Sequence, residues 1–342
     1  MELGIYSFGE LSAARADDSV RSIHERFEQI LVLARLADAG GLDIMTLGEH
    51  HRPDFSMSAP EVALGAIAGQ TSRLRLASGV TVLSSQDPVR VFEQFATLDH
   101  VSNGRAEIFA GRGAFIESFP LFGYDLADYD ALFDEKLRLL LKIRDEAVVT
   151  WSGRFRSPLL EAAISPRPVQ KQLPIWVAIG GTPASAVRAG SLGLPMIMGF
   201  FAGPEQFVPR VELYRQAAAD AGHDPAALRL GVSGHMFIGK TSQGAREAFF
   251  PYYSQYFNKP GSPLAGTGLQ RDAYDNWIAH GLPVGSPQQV IDAIMRRVHL
   301  LGIDRFIGQI DAGNPPWRMT LESLELYMTE VAPVIRRETA AE

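Results

Sequence analysis

Short apolar runs alternate with amphipathic stretches along the whole chain. Leu3–Phe8, Asp43–Leu47, Leu74–Leu83, Arg105–Ala110, Ile175–Ile179, Met196–Phe200, Arg229–Gly239 and Arg305–Ile310 each have the length and apolar density of a buried strand. Between them lie helical patterns with recognisable ends. Ser22-x-x-Glu25 forms a capping box ahead of Ile23, Phe27, Ile30, Leu31 and Ala34, and Gly40-Gly41 stops that helix. A second helix is expected over Ala59–Thr71. Asp87-Pro88 supplies an N-cap and an N1 proline for Val91, Phe92, Phe95, Leu98 and Val101, and Asn103-Gly104 ends the run. Further helices are expected over Leu132–Arg144, after Ser286-Pro287, and over Leu321–Arg336. Near-continuous apolar strands separated by helices imply a parallel sheet covered on its outer face. Eight such units predict an α/β fold, a single (β/α)8 TIM barrel covering 1–342, and no internal repeat is visible.

Two stretches exceed ordinary connections. Trp151–Pro174 contains Ser-Gly-Arg and several prolines and reads as an excursion or hairpin after strand four. Thr241–Gly285, after strand seven, reads as a long loop that carries Phe249, Phe250, Tyr252, Tyr253, Tyr256 and Phe257, then Gly261, Gly266 and Gly268. Loops of that length are often lids, and its aromatic run is either local packing or one wall of a substrate site.

The 342 residues, 46% of them hydrophobic, accommodate one barrel of roughly 250 residues plus these insertions. A net charge of -7 with no Lys/Arg run argues against nucleic acid as a partner. The absence of cysteine excludes disulfides, zinc–thiolate sites and thiol nucleophiles. No signal peptide is evident at Met1–Tyr6 and no stretch approaches ~18 uncharged apolar residues, so the expectation is a cytoplasmic protein without a membrane span.

In a parallel barrel, chemistry sits just beyond the C-terminal ends of the strands. Those positions are polar or glycine-rich: Glu49-His50-His51 after strand two, Thr81 and Ser84-Ser85 at strand three, Gly111-Arg112-Gly113 after strand four, and Gly180-Gly181-Thr182 after strand five. A histidine there can carry protons near neutrality, the alternative being a pair of capping or core histidines. No His-x-x-x-His pair accompanies them, which disfavours a metal. Gly111-Arg112-Gly113 offers close backbone approach and a bidentate guanidinium, while Gly180-Gly181-Thr182 opens a helix that contains Ser185, so together they suit a phosphate-bearing ligand. Glu107 should point into the barrel and pair with an arginine. Lys240, in a polar run, is assigned to the surface, and His235 is either a core residue or one facing the barrel mouth.

These motifs resemble the bacterial luciferase-like flavin monooxygenases. The resemblance rests on Glu49-His50-His51, on Asp87-Pro88-Val89-Arg90 through Leu98-Asp99-x-x-Ser102-x-Gly104-Arg105, and on Gly111-Arg112-Gly113. It extends to Pro174-Ile175-Trp176-Val177 with Gly180-Gly181-Thr182, and to Gly285-Ser286-Pro287. It implies a barrel that binds reduced FMN, supplied by a separate reductase, or in some branches the deazaflavin F420. Family members react reduced flavin with O2 to form a flavin hydroperoxide that oxidises a small organic substrate. By the same resemblance His50 would act as the proton-handling catalytic group. Arg112, with Gly180, Gly181, Thr182 and Ser185, would hold the flavin phosphate. Ser78-Gly79 would lie below the isoalloxazine ring as a non-proline cis peptide, Gly111 and Thr81 at their strand ends are further candidate cofactor contacts, and two copies would pair as a homodimer. The lack of cysteine and a slightly longer run after strand five depart from the family pattern. The expected function is therefore an FMN-dependent monooxygenase. The alternatives are F420-dependent hydride transfer, a non-flavin hydrolase or lyase with an acid/base pair at Glu49 and His50, and a non-catalytic flavin-binding subunit.

Overall fold

The computed structural model describes residues 1–11, 23–113, 115–199, 203–259, 262 and 264–340. Its strands are β1 (Glu2–Ser7), β2 (Ile44–Leu47), β3 (Arg75–Val82), β4 (Ala106–Gly111), β5 (Val148–Trp151), β6 (Leu159–Ala163), β7 (Ile175–Ile179), β8 (Met196–Gly199), β9 (Leu230–His235), β10 (Phe237–Ile238), β11 (Val284–Gly285) and β12 (Arg305–Gln309). Its helices are α1 (Ile23–Ala39), α2 (Pro60–Ala68), α3 (Pro88–Ser102), α4 (Ser118–Leu121), α5 (Tyr129–Asp145), α6 (Pro183–Ser191), α7 (Val208–Asp220), α8 (Ser242–Tyr256), α9 (Arg271–Ala279), α10 (Pro287–Leu301), α11 (Trp317–Leu326) and α12 (Ala332–Thr339). Eight strands close a parallel barrel in the order β1-β12-β9-β8-β7-β4-β3-β2. This is the TIM barrel that the alternation of apolar runs predicts.

The period of two along each strand divides the core into two layers. Leu3, Ile5, Ile108 and Phe306 face outward into the shell shared with the helices. Tyr6, Ile44, Ala77, Phe109, Trp176, Ile197 and Ile307 fill the barrel interior. Glu107 lies inside as expected, and its partner is Arg305. Arg305 Nη1 donates to Glu107 Oε2 at 2.7 Å and Nη2 donates to Oε1 at 3.0 Å. Arg75 adds a further ion pair, and the Arg305 guanidinium stacks 4.4 Å from the Trp176 ring. This cluster fills the N-terminal end of the barrel, opposite the face where sites form.

The α3 boundaries follow the sequence reading closely. Asp87 accepts from Val89 N at 2.9 Å and Arg90 N at 3.3 Å, and Asn103 adopts the left-handed conformation at φ 56°. Ser286 does precede Pro287 at the start of α10, yet its side chain makes no cap and instead accepts from Ser242 Oγ at 3.2 Å. Ser22 and Phe200 lie outside the described residues, as does Gly261. The excursion after β4 contains the antiparallel hairpin β5–β6.

Two expectations change. The single strand expected over Arg229–Gly239 is two: β9 pairs within the barrel, and β10 leaves it to pair with β11. Met236, between them, donates its N–H to Gln309 O while its side chain packs in the outer core. Likewise, Thr241–Gly285 is no long loop. It folds into α8 and α9, which bury Phe249, Tyr253 and Tyr274 with Phe237, Leu269 and Val284 in a satellite core of their own. Most of the aromatic run is therefore packing, because rings three to four residues apart share one helix face.

Candidate active site

The C-terminal ends of β1, β2, β3, β4, β7, β8 and β9 open onto a cavity of about 570 Å³. Its walls include His50, Gly79, Gly111, Arg112, Gly180, Gly181 and Thr182, seven of the ten site residues expected from sequence. The other three sit behind the wall. Ser185 is buried and accepts from Arg112 Nη2 at 3.0 Å, so it orients the guanidinium. Ser78 and Thr81 are fully buried and bond each other, Thr81 Oγ1 donating to Ser78 Oγ at 2.7 Å. Neither reaches the cavity. The cis peptide falls at Gly79-Val80 and not at Ser78-Gly79. The pairing of β3 with β4 slips at this point, Gly79 opposing Phe109 and Thr81 opposing Ala110, so Val80 is unpaired and faces the cavity.

Arg112 and the glycine-rich turn after β7 form one part of the cavity wall. Arg112 pairs with Asp130, donates to Thr182 Oγ1 at 3.3 Å and lies over the Tyr129 ring at 4.9 Å. Thr182 precedes Pro183 at the start of α6, and its hydroxyl makes no cap bond to the helix. A Cβ at Gly180 would meet nothing within 4 Å, so the backbone here is open to a ligand. An arginine, a hydroxyl and open glycine backbone thus meet in one part of the wall, groups of the kind that phosphate recognition uses. At Gly111 the requirement is the opposite: an added Cβ would lie 2.8 Å from the Val80 side chain.

His50 lies in another part of the wall, buried among rings. Its imidazole is 4.7 Å from Phe8, 4.3 Å from Phe55 and 5.2 Å from Phe115, centroid to centroid. Burial, reinforced by the positive charge of Lys259, lowers its pKa to about 3. The imidazole is therefore neutral near pH 7, with one donor and one acceptor nitrogen. Its nearest acid is Glu117, 3.9 Å from Nδ1.

Glu49 does not pair with His50. Its Oε1 lies 2.8 Å from His51 Nε2 and accepts from Gln86 Nε2 at 3.1 Å, while Oε2 accepts from Val82 N at 2.8 Å. The glutamate thus ties the end of β2 to that of β3, and the acid/base pair a hydrolase would use is not assembled. His235 is fully buried, 2.8 Å from the Tyr253 hydroxyl, and is no part of the cavity wall. Lys240 is exposed.

Sequence reasoning missed Tyr6, Phe8, Phe55, Val80, Phe115, Tyr129 and Lys259, all of which line the cavity. Phe8 and Phe115 lie within a few residues of a strand end and were open to the same positional argument as His50. Lys259 was not. It follows the aromatic run and returns across the barrel mouth to donate to Glu10 Oε1 at 3.0 Å. Tyr256 and Phe257, from that run, do reach the cavity.

A family model for luciferase-like monooxygenases matches residues 1–305. The chain belongs to this family. Among curated relatives, the uncharacterized protein y4vJ of Sinorhizobium fredii is 28% identical over 325 residues, covering 89% of this chain and 90% of that one. The alkanal monooxygenase alpha chain of Photorhabdus luminescens is 24% identical over 342 residues, covering 92% and 93%. Among solved structures, the monooxygenase RslO1 from Streptomyces bottropensis aligns with a TM-score of 0.85 at 27% identity, over 98% of this chain and 99% of that one. The oxygenating constituent of 3,6-diketocamphane monooxygenase from Pseudomonas putida, in complex with FMN, shares the fold at TM-score 0.78 and 23% identity, over 98% and 99%. So does an F420-dependent secondary alcohol dehydrogenase with an F420–acetone adduct, at 0.77 and 18%, again over 98% and 99%.

Proposed function

We propose that this luciferase-like monooxygenase uses reduced FMN and O2 to oxidise a small organic substrate. The observation that carries the reading is one cavity walled in part by an arginine, a threonine hydroxyl and open glycine backbone, and in part by a neutral histidine among aromatic rings. The groups present fit FMN. Arg112, Gly180, Gly181 and Thr182 would hold its phosphate, with Ser185 fixing the arginine, and Gly79, Val80 and Gly111 would support the ring system. When bound, the reduced flavin supplies the electrons that activate O2. The chain's own work is to orient, exclude water and hold a hydrogen-bond donor in place. The rings around His50 would keep water from the reaction. His50, neutral near pH 7, would donate a hydrogen bond from its ring N–H to an oxygen that gains charge. A separate reductase is expected to deliver the flavin.

The phosphate assignment is open to a direct check. FMN and riboflavin differ only in the phosphate, so the ratio of their dissociation constants reads the cradle alone. The wild type should favour FMN by a factor on the order of 10², and Arg112→Ala should remove most of that factor, about 2–3 kcal/mol. Equal affinities for FMN and riboflavin in the wild type would remove the phosphate from the cradle and leave the flavin reading without its anchor.

A further inference from the structure

The end of the cavity away from Arg112 has its own chemistry. Five rings reach it from four separate connections: Phe8 after β1, Phe55 after β2, Phe115 after β4, and Tyr256 with Phe257 at the end of α8. Phe8, Phe55 and Phe115 surround His50, with Phe55 6.3 Å from Phe8 and 6.2 Å from Phe115, while Tyr256 and Phe257 pack together at 5.0 Å. Lys259 closes the set, its ammonium 4.3 Å from the Phe55 centroid and 5.0 Å from that of Tyr256.

The charges at this end are paired, with one carboxylate over. Lys259 is matched by buried Glu10 at 3.0 Å, and Arg52, stacked on Phe115, by Asp54 at 2.9 Å. Glu117 adds a further negative charge beside His50. Nothing there draws an anion. Of the three N–H bonds of the ammonium, Glu10 takes one, and the lysine still lines the cavity.

We propose that this end is the substrate subsite and takes a planar, uncharged aromatic compound bearing a carbonyl or hydroxyl oxygen, its ring held among Phe8, Phe55, Phe115 and Tyr256 and its oxygen hydrogen-bonded by Lys259. An aliphatic chain gains only from leaving water, whereas a planar ring also gains from edge and face contacts with the wall. A neutral oxygen accepts from the ammonium without upsetting the Lys259–Glu10 pair. A carboxylate would add its charge to those of Glu10, Asp54 and Glu117 in a water-poor site. That the occupant is the oxidised substrate rests on the monooxygenase reading; that the subsite binds such a compound does not.

Calorimetric titration of the purified protein, without flavin and with FMN, tests the subsite using 2-naphthol, 2-naphthoate and 1-octanol, an aliphatic alcohol of similar hydrophobicity. Naphthol should bind at least about tenfold more tightly than the other two, a difference of about 1.4 kcal/mol. Lys259→Met should weaken naphthol several-fold and leave FMN affinity unchanged. Phe55→Leu with Phe115→Leu should erase the preference over octanol; if that variant does not fold, the wild-type ranking and Lys259→Met decide. Octanol or naphthoate binding as tightly as naphthol, or no naphthol binding to either form, overturns the proposal. Naphthol binding in a protein that fails to bind FMN would sink the flavin reading and keep the subsite.

Discussion

His50 and Arg112 are the two residues whose surroundings most constrain the chemistry. The imidazole is wrapped by Phe8, Phe55 and Phe115, and desolvation holds it neutral, its pKa lowered to about 3. A group of that kind contributes no ionisation between pH 5 and 8. Turnover governed by His50 should therefore be flat over that range, and a pH–rate profile should lack a His50-dependent step near 6.5. A limb near 6.5 that disappears in His50→Gln would show the imidazole to be solvated and titrating. Replacing His50 with Ala should lower kcat by about 10²-fold with FMN affinity within a few-fold of wild type, since a hydrogen bond to developing charge is lost while Arg112 and its partners are untouched. Unchanged turnover in a saturating assay would take His50 out of the mechanism. Positional logic from the sequence pointed to both residues because Arg112 directly follows β4 and His50 lies three residues beyond the end of β2. It could not show that Glu49 turns to His51, because that depends on Gln86 and the Val82 amide reaching it from β3 and beyond.

At the scale of elements, strands and helices were legible wherever period and punctuation agreed, as in α3 with its Asp87 cap and Asn103 stop. They were less so where a strand changes partner. Arg229–Gly239 reads as one apolar run, yet His235 ends the barrel strand and Phe237 starts another sheet, a choice made by β11 some fifty residues on. The aromatic run after it looked like a loop because Pro251 and the glycines interrupt the pattern, although Phe249 and Tyr253 lie on one buried face. The slip of register at Val80 was equally hidden, and it moved the cis bond by one residue. Glu107 on β4 was legible as an interior carboxylate. Burial opposes its charge, but Arg305 and Arg75 hold its pKa below the usual range. Removing one partner leaves the other charge buried, so Arg305→Leu should destabilise by about 3–5 kcal/mol in urea unfolding. A loss below about 1 kcal/mol would mean that Glu107 finds compensation from Arg75 alone.

For the whole molecule, closure of eight parallel strands brings distant connections together at the barrel mouth, so Glu10 meets Lys259, 249 residues on, and Gly313, 303 residues on, although nothing local relates them. Single-sequence reading identified the barrel and the face that carries the site; it could not identify contacts made across the mouth. The same burial sets how stability depends on pH. His50 and His235 are each lowered to about 3, so the unfolded chain binds protons that the folded one refuses. Their contribution is present above the unfolded pKa near 6.5 and is lost as pH falls. Glu61, raised to about 7 by burial, acts in the opposite direction, favouring the fold at low pH and losing that contribution as pH rises. A difference measurement separates them. Between pH 7 and pH 5, the stability gap between wild type and His235→Phe should shift by about 2 kcal/mol in favour of the variant. No shift would show His235 to be proton-accessible in the folded state.

Use of reduced FMN and O2 by this barrel is open to anaerobic titration of the protein with reduced FMN and, in parallel, reduced F420, each followed by mixing with O2 in a stopped-flow spectrometer. Saturable binding of reduced FMN and a change in its rate of reoxidation when protein-bound are expected. Saturable binding of F420 with no response to FMN would contradict it and place the chain among the hydride-transferring members of the fold.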